Sequence, residues 1–84
     1  MSMKVTVRYF AAARAAAGFD DEIIGLAAGT TVGALVQSLA ERDPALAKVL
    51  SRCSYLCDGI AVRDLGLPLC DAQTVDVLPP FAGG

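Results

Sequence analysis

The chain has 84 residues, enough for one domain and one hydrophobic core but with little room for an enclosed active site. Apolar residues make up 55% of it, much of that alanine, yet no run approaches the roughly 18 consecutive apolar residues of a membrane span. The net charge is −2, the seven Lys and Arg are scattered and there is no His, which argues against nucleic-acid binding and against any Ser-His or Cys-His mechanism.

The first residues pass straight into an alternating pattern, without the apolar block of a signal peptide, so the expected location is cytoplasmic. Met3, Val5, Val7 and Tyr9 point one way and Lys4, Thr6 and Arg8 the other, which predicts a half-buried strand over 3–9. Phe10 to Ala17 is alanine-rich and helical, and Gly18 stands where a left-handed C-cap belongs. Asp20-Asp21-Glu22, the one charge run, reads as a solvated edge. A second extended segment, Glu22 to Leu26, is weakened by Gly25. Thr30-Thr31 supplies an N-cap oxygen for the best helix in the chain, with Val32, Leu35, Val36 and Leu39 as its apolar stripe. Pro44 ends that helix or starts a short second one carrying Leu46, Val49 and Leu50.

Asp58-Gly59 between two apolar runs predicts a hairpin over 54–62, since a type I′ turn needs positive φ at both central positions. Segment 63–73, with Gly66 and Pro68, reads as a loop. Thr74 to Leu78 is a last strand, stopped by Pro79-Pro80, which cannot donate to a sheet ladder. This order fits an α+β domain with helices on one face of a small mixed sheet. A β-grasp arrangement satisfies it, with the first and last strands side by side in the middle.

Three cysteines, Cys53, Cys57 and Cys70, leave at least one unpaired and suit a reducing compartment. If 53 to 57 is extended, those two α-carbons lie about 13 Å apart at roughly 3.3 Å per residue, too far for a disulfide. The C-x3-C-x12-C spacing is a poor match to a four-ligand zinc site. All three are expected to be buried small hydrophobes. Asp58, Asp64 and Asp71 fall in turns, where Asp serves the backbone.

What is left to carry chemistry is Pro79-Pro80-Phe81-Ala82-Gly83-Gly84. At an average glycine usage of about 7%, a Gly-Gly end arises by chance in roughly one chain in two hundred. The prolines favour a stiff extended exit from the sheet, and Phe81 offers an anchor. Beyond Ala82 there are no Cβ atoms, so Gly83 and Gly84 can thread a narrow channel. A terminal carboxylate, with a pKa near 3.3, is ionised and a poor electrophile. Adenylation by ATP is its natural activation, after which an amine or a sulfur donor can attack.

Val7-Arg8-Tyr9-Phe10-Ala11-Ala12-Ala13-Arg14 through Gly18, the helix start Thr31-Val32-Gly33-Ala34-Leu35, Pro68-Leu69-Cys70-Asp71 and the ending Val75-Asp76-Val77-Leu78-Pro79-Pro80-Phe81-Ala82-Gly83-Gly84 resemble the small subunit of molybdopterin synthase, of the MoaD/ThiS sulfur carriers. The likeness covers nearly the whole chain. It implies one ubiquitin-like β-grasp domain over 1–84 with a flexible tail at 79–84. An E1-like adenylyltransferase using ATP-Mg would activate Gly84, and a sulfur donor protein would convert it to a thiocarboxylate. The tail, through Phe81, Ala82 and Gly83, would thread the large synthase subunit and pass sulfur to cyclic pyranopterin monophosphate. The resemblance further implies two carriers on a large-subunit dimer, no cofactor or metal bound by this chain, and docking through Phe10, Leu78 and Val62; for Phe10, core packing is the competing role. Two positions depart from the pattern: Asp58-Gly59 replaces an Asn-Gly-like turn, and Asp71-Ala72-Gln73 replaces Asp-Gly-Asp. A carrier for thiamine or another thiolation pathway, a protein-conjugating modifier and a plain interaction domain are the alternatives.

Overall fold

The alternation of the first strand decides the architecture, because it gives the sheet one apolar face to cover. The structure is a computed structural model and describes residues 2–80. Its elements are β1 (Ser2–Tyr9), α1 (Ala11–Ala17), β2 (Asp21–Ala27), α2 (Val32–Ala40), α3 (Pro44–Leu50), β3 (Ser54–Cys57), β4 (Ile60–Ala61) and β5 (Thr74–Leu78). The strands form one mixed sheet in the order β2-β1-β5-β3-β4. The central pair, β1 and β5, is parallel and the other pairings are antiparallel. This is the β-grasp arrangement the element order predicts.

Met3, Val5, Val7 and Tyr9 of β1 and Val75 and Val77 of β5 form the floor of the core. Val32, Leu35 and Leu39 of α2 and Leu46 and Leu50 of α3 close it from above. Fully burying one such side chain is worth about 1.5–3 kcal/mol.

The helix boundaries follow their caps. Thr31 Oγ1 accepts from the Ala34 amide at 3.1 Å, and Asp43 Oδ1 accepts from the Ala45 amide at 2.7 Å with Pro44 in the first turn. Pro44 therefore starts the short third helix. Gly18, at φ 91°, is the left-handed cap of α1, and its amide bonds the Arg14 carbonyl. β2 runs straight through Gly25, which pairs with Lys4.

Two expectations are corrected. Glu22 is not part of a solvated run: its carboxylate accepts from the Tyr9 hydroxyl at 2.6 Å and from Arg42 at 3.0 Å, joining the sheet to the end of α2. Cys70 is exposed, because the loop before β5 turns it outward, whereas Cys57 is buried and Cys53 half-buried.

Segment 63–73 is irregular but ordered by backbone bonds. The Leu67 and Leu65 carbonyls accept from the Val32 and Gly33 amides at 3.0 and 2.8 Å, so this loop caps α2. A Cβ on Gly33 would lie 3.1 Å from the Leu65 oxygen, a tight approach that a larger residue relieves only by shifting the loop a few tenths of an ångström. The hairpin turn has Asp58 at φ 50° and Gly59 at φ 81°, the positive pair that type I′ requires.

Asp71-Ala72-Gln73 keeps the turn with a different residue. Asp71 Oδ1 accepts from the Lys4 amide at 2.8 Å, Gln73 Oε1 from the Cys70 amide at 2.7 Å, and Ala72 takes the left-handed φ of 69°. Left-handed alanine costs about 1–2 kcal/mol, and glycine returns part of that gain through its freer unfolded chain. Ala72→Gly is therefore expected to stabilise the protein by about 0.5–1 kcal/mol in urea unfolding; a loss of stability would contradict the strain assigned to this turn.

Candidate functional site

The side of the sheet that bears no helix is built from the alternate residues of each strand. Lys4, Thr6 and Arg8 of β1 pair across to Gly25, Ile23 and Asp21 of β2. On the other side Thr6 pairs with Thr74 and Arg8 with Asp76 of β5, and Asp76 pairs in turn with Leu56 of β3. The register Arg8 to Asp76 and Tyr9 to Val77 makes Phe10 and Leu78 the next residues in step. The Phe10 amide extends the ladder by donating to the Val77 carbonyl at 3.3 Å. Phe10 and Leu78 thus stand at the same end of the central strand pair, where the chain leaves the sheet.

Phe10 is 37% exposed and lies outside the core. That places its ring at the surface, against the competing role in core packing. Its backbone is extended, at φ −124° and ψ 150°, and its carbonyl accepts the first bonds of α1. Ala11 then takes φ 50°, a left-handed conformation costing about 1–2 kcal/mol for a residue other than glycine. This sharp turn from strand to helix leaves the Phe10 ring pointing out.

Leu78 is half-buried on the same face. Val62 is placed differently: its amide bonds the Tyr55 carbonyl at 2.9 Å, and its side chain packs against the core. The structure brings Phe10 and Leu78 together and puts Val62 on the helix side. Phe81, Ala82, Gly83 and Gly84 lie outside the described residues.

Arg8 and Asp76 have no counterpart among the sequence-predicted site residues. The Asp76 carboxylate is 6% exposed and accepts from Arg8 Nε at 2.6 Å and Nη2 at 2.9 Å, a bidentate pair. The Arg8 guanidinium in turn lies 5.6 Å from the centre of the Phe10 ring. Only the parallel β1–β5 register brings residues 8 and 76 opposite one another, and no spacing within the sequence signals it.

On the helix side, Pro79 and Pro80 wall a groove of about 240 Å³ with Ala12, Lys48, Val49 and Arg52. Pro79 is buried and Pro80 exposed.

Burial pushes the Cys53 thiol up, and burial with nearby Asp58 and Cys70 pushes Cys57 up, so both are held as weakly nucleophilic thiols. Among the described residues, no His, Cys, Asp or Glu cluster is arranged to hold a metal ion, and no helix is long and apolar enough to cross a membrane.

A β-grasp domain whose last strand runs out beside an exposed aromatic edge defines a class of small carrier and modifier domains. Residues 7–84 match the ThiS family, and the chain belongs to it, within the MoaD/ThiS sulfur carriers that its motifs resemble. It is 30% identical over 83 residues to the molybdopterin synthase sulfur carrier subunit of Chlamydomonas reinhardtii, covering 98% of this chain and all of that protein. The complex of subunits 1 and 2 of molybdopterin-converting factor from Helicobacter pylori contains a chain that superposes with a TM-score of 0.74 at 26% identity, covering 98% of this chain and 100% of that one. Small archaeal modifier protein 1 from Methanosarcina acetivorans superposes with a TM-score of 0.82 at 27% identity, covering 100% and 99%.

The exposures predict an order of thiol reactivity. In the native protein, iodoacetamide is expected to modify Cys70 first and Cys57 only on unfolding, read by peptide mass spectrometry. Equal labelling of Cys57 and Cys70 under native conditions would contradict the burial described.

Proposed function

We propose that this chain is the sulfur carrier subunit of a molybdopterin synthase and that its reacting group is the carboxylate of Gly84. The observation that carries this reading is the 30% identity over 83 residues to a molybdopterin synthase sulfur carrier subunit, alongside a family match whose span, 7–84, includes the Gly-Gly tail. An E1-like adenylyltransferase joins the carboxylate to the α-phosphate of ATP, releasing pyrophosphate. The outer sulfur of a persulfide on a sulfur donor protein then displaces AMP to form an acyl disulfide, and a thiol cleaves its S–S bond, leaving the thiocarboxylate and a disulfide on the donor side. The tail enters the large subunit, where the thiocarboxylate gives its sulfur to cyclic pyranopterin monophosphate and returns as a carboxylate.

The described residues support this division of labour. They present a surface and an exit for the chain, with no histidine and with two thiols suppressed by burial. The large subunit supplies the catalytic groups, and two carriers serve a large-subunit dimer. The likeness to an archaeal modifier protein favours one second reading, in which Gly84 acylates lysines of other proteins.

Incubation with the E1-like enzyme, ATP-Mg and a sulfur source is expected to add the mass of one oxygen-to-sulfur exchange at Gly84. A residue appended after Gly84 abolishes both this and pterin sulfuration; intact sulfuration would overturn the assignment. Covalent adducts in lysate that resist thiol reagents would instead support the modifier. Docking follows the surface edge: Phe10→Lys or Leu78→Lys should weaken binding to the large subunit at least about tenfold with the thermal midpoint nearly unchanged. If either variant unfolds, that side chain belongs to the core.

A further inference from the structure

A carboxylate that is almost wholly buried on the open face of a sheet calls for an explanation. Removing a charge from water is unfavourable unless it is paired and hydrogen-bonded. Asp76 is the one buried charged side chain among the described residues, and it lies on the side that no helix covers. What covers and pairs it is Arg8, directly across the parallel strand pair, through two hydrogen bonds of 2.6 and 2.9 Å.

This bidentate pair fixes the plane of the guanidinium, which a single contact leaves free to rotate. Arg8 itself is half exposed, at 50% of its side chain, so its other face is open. The guanidinium lies over the Phe10 ring, with 5.6 Å between its carbon and the ring centre, while the rest of its surface meets solvent. An independent feature acts on the same residue: the left-handed Ala11 turns the chain into α1 immediately after Phe10 and keeps the ring out of the core.

We propose that Arg8 and Asp76 are positioning residues of the docking edge, holding the exposed Phe10 ring in the orientation in which it meets the partner. The inference rests on the reading that Phe10 docks. Asp76 fixes Arg8, Arg8 supports one side of the ring, and Ala11 sets the backbone beneath it. A pre-set aromatic ring loses less conformational freedom on binding than a mobile one, so the pair acts on affinity through the ring. Asp76 neutralises Arg8, and Arg14, Asp20 and Asp21 line the cavity beside the ring.

The test is a double-mutant cycle on the full chain, with the large molybdopterin synthase subunit as the probe and affinity measured by calorimetry. The pair variant R8M/D76N removes both charges together and leaves no unpaired ion. It is expected to bind about three- to tenfold more weakly, the effect of a lost cation–π contact and the ordering that goes with it. Phe10→Ala is expected to bind more weakly still. Adding R8M/D76N to Phe10→Ala should then change the affinity by less than about twofold, because the pair acts only through the ring. Full additivity overturns the proposal, as does an unchanged affinity for R8M/D76N. If Phe10→Ala itself has no effect while wild type binds, it is the docking reading that fails.

A second measurement needs no partner and serves where R8M/D76N does not fold. Wild-type protein should show nuclear Overhauser contacts between the Phe10 ring and the Arg8 Cδ protons, and Asp76→Asn should lose them while the rest of the spectrum stays dispersed. Contacts that persist in Asp76→Asn overturn the proposal.

Discussion

The parallel pairing of β1 with β5 is the constraint on which everything else depends. Thr6 to Tyr9 lie beside Thr74 to Val77, so the two ends of the chain meet in the middle of the sheet. Bringing together segments this far apart in sequence carries a loop-closure cost that no local bond offsets. The valines on the helix side supply the offset, since Val5, Val7, Val75 and Val77 are all essentially without solvent exposure. Every other element is placed relative to that pair: β2 extends β1, the β3–β4 hairpin extends β5, and the helices cover the valines. The parallel direction also determines where the chain leaves, since β5 must run the same way as β1 and end beside Phe10.

The same pairing explains the electrostatics of the open face. A strand with Asp76 at its centre would be poor in a sheet covered on both sides. Here one face is open, and the facing residue of the parallel neighbour is arginine. With Arg8 half exposed and Asp76 buried, the attraction of the pair largely offsets the cost of taking the carboxylate out of water, so it adds little net stability. Its geometric consequence is more definite, because two parallel hydrogen bonds fix a plane. Glu22 shows the contrasting case at the helix-side seam, where one carboxylate joins Tyr9 and Arg42 and burial, with the bond to Glu22, lifts the Tyr9 phenol above its ordinary value. One carboxylate ties layers together; the other shapes a surface.

Much of the fold is legible because its signals are local. Alternation marks β1, Thr31 and Asp43 mark helix starts, and Asp58-Gly59 marks a turn that the structure closes with φ positive at both residues. The features that escape a sequence reading are those fixed by long-range register. Nothing near residue 22 indicates that its carboxylate meets Tyr9 and Arg42, and nothing near residue 76 indicates Arg8. Segment 63–73 looks like a plain loop because the bonds by which it caps α2 are made by its carbonyls, which carry no side-chain signature. Cys70 was expected inside because cysteine usually is; the turn built on Ala72 sets it outside. At the candidate site, Phe10 and Leu78, which the family resemblance names, stand at one end of the central strand pair, Val62 packs against the core, and the ion pair beside the Phe10 ring is visible only in three dimensions.

The placement of the thiols bears on the proposed chemistry. An activated acyl group at the end of a short chain is open to attack by any nucleophile of its own domain. Cys57 is buried and its thiol pushed up, which lowers its thiolate fraction, and Cys53 is partly buried, pushed up and bonded to the Val49 carbonyl at 3.2 Å. Cys70 is the exposed thiol, and it precedes Thr74, at the opposite end of β5 from Leu78 and the prolines. At roughly 3.3 Å per residue, the strand alone separates the two ends by about 13 Å. The parallel strand pair that sends the chain out beside Phe10 therefore also keeps the one accessible sulfur nucleophile at the far end of the sheet. Cys53, next to Ser54 at the exit end of the sheet, is the thiol that burial and the bond to Val49 hold back.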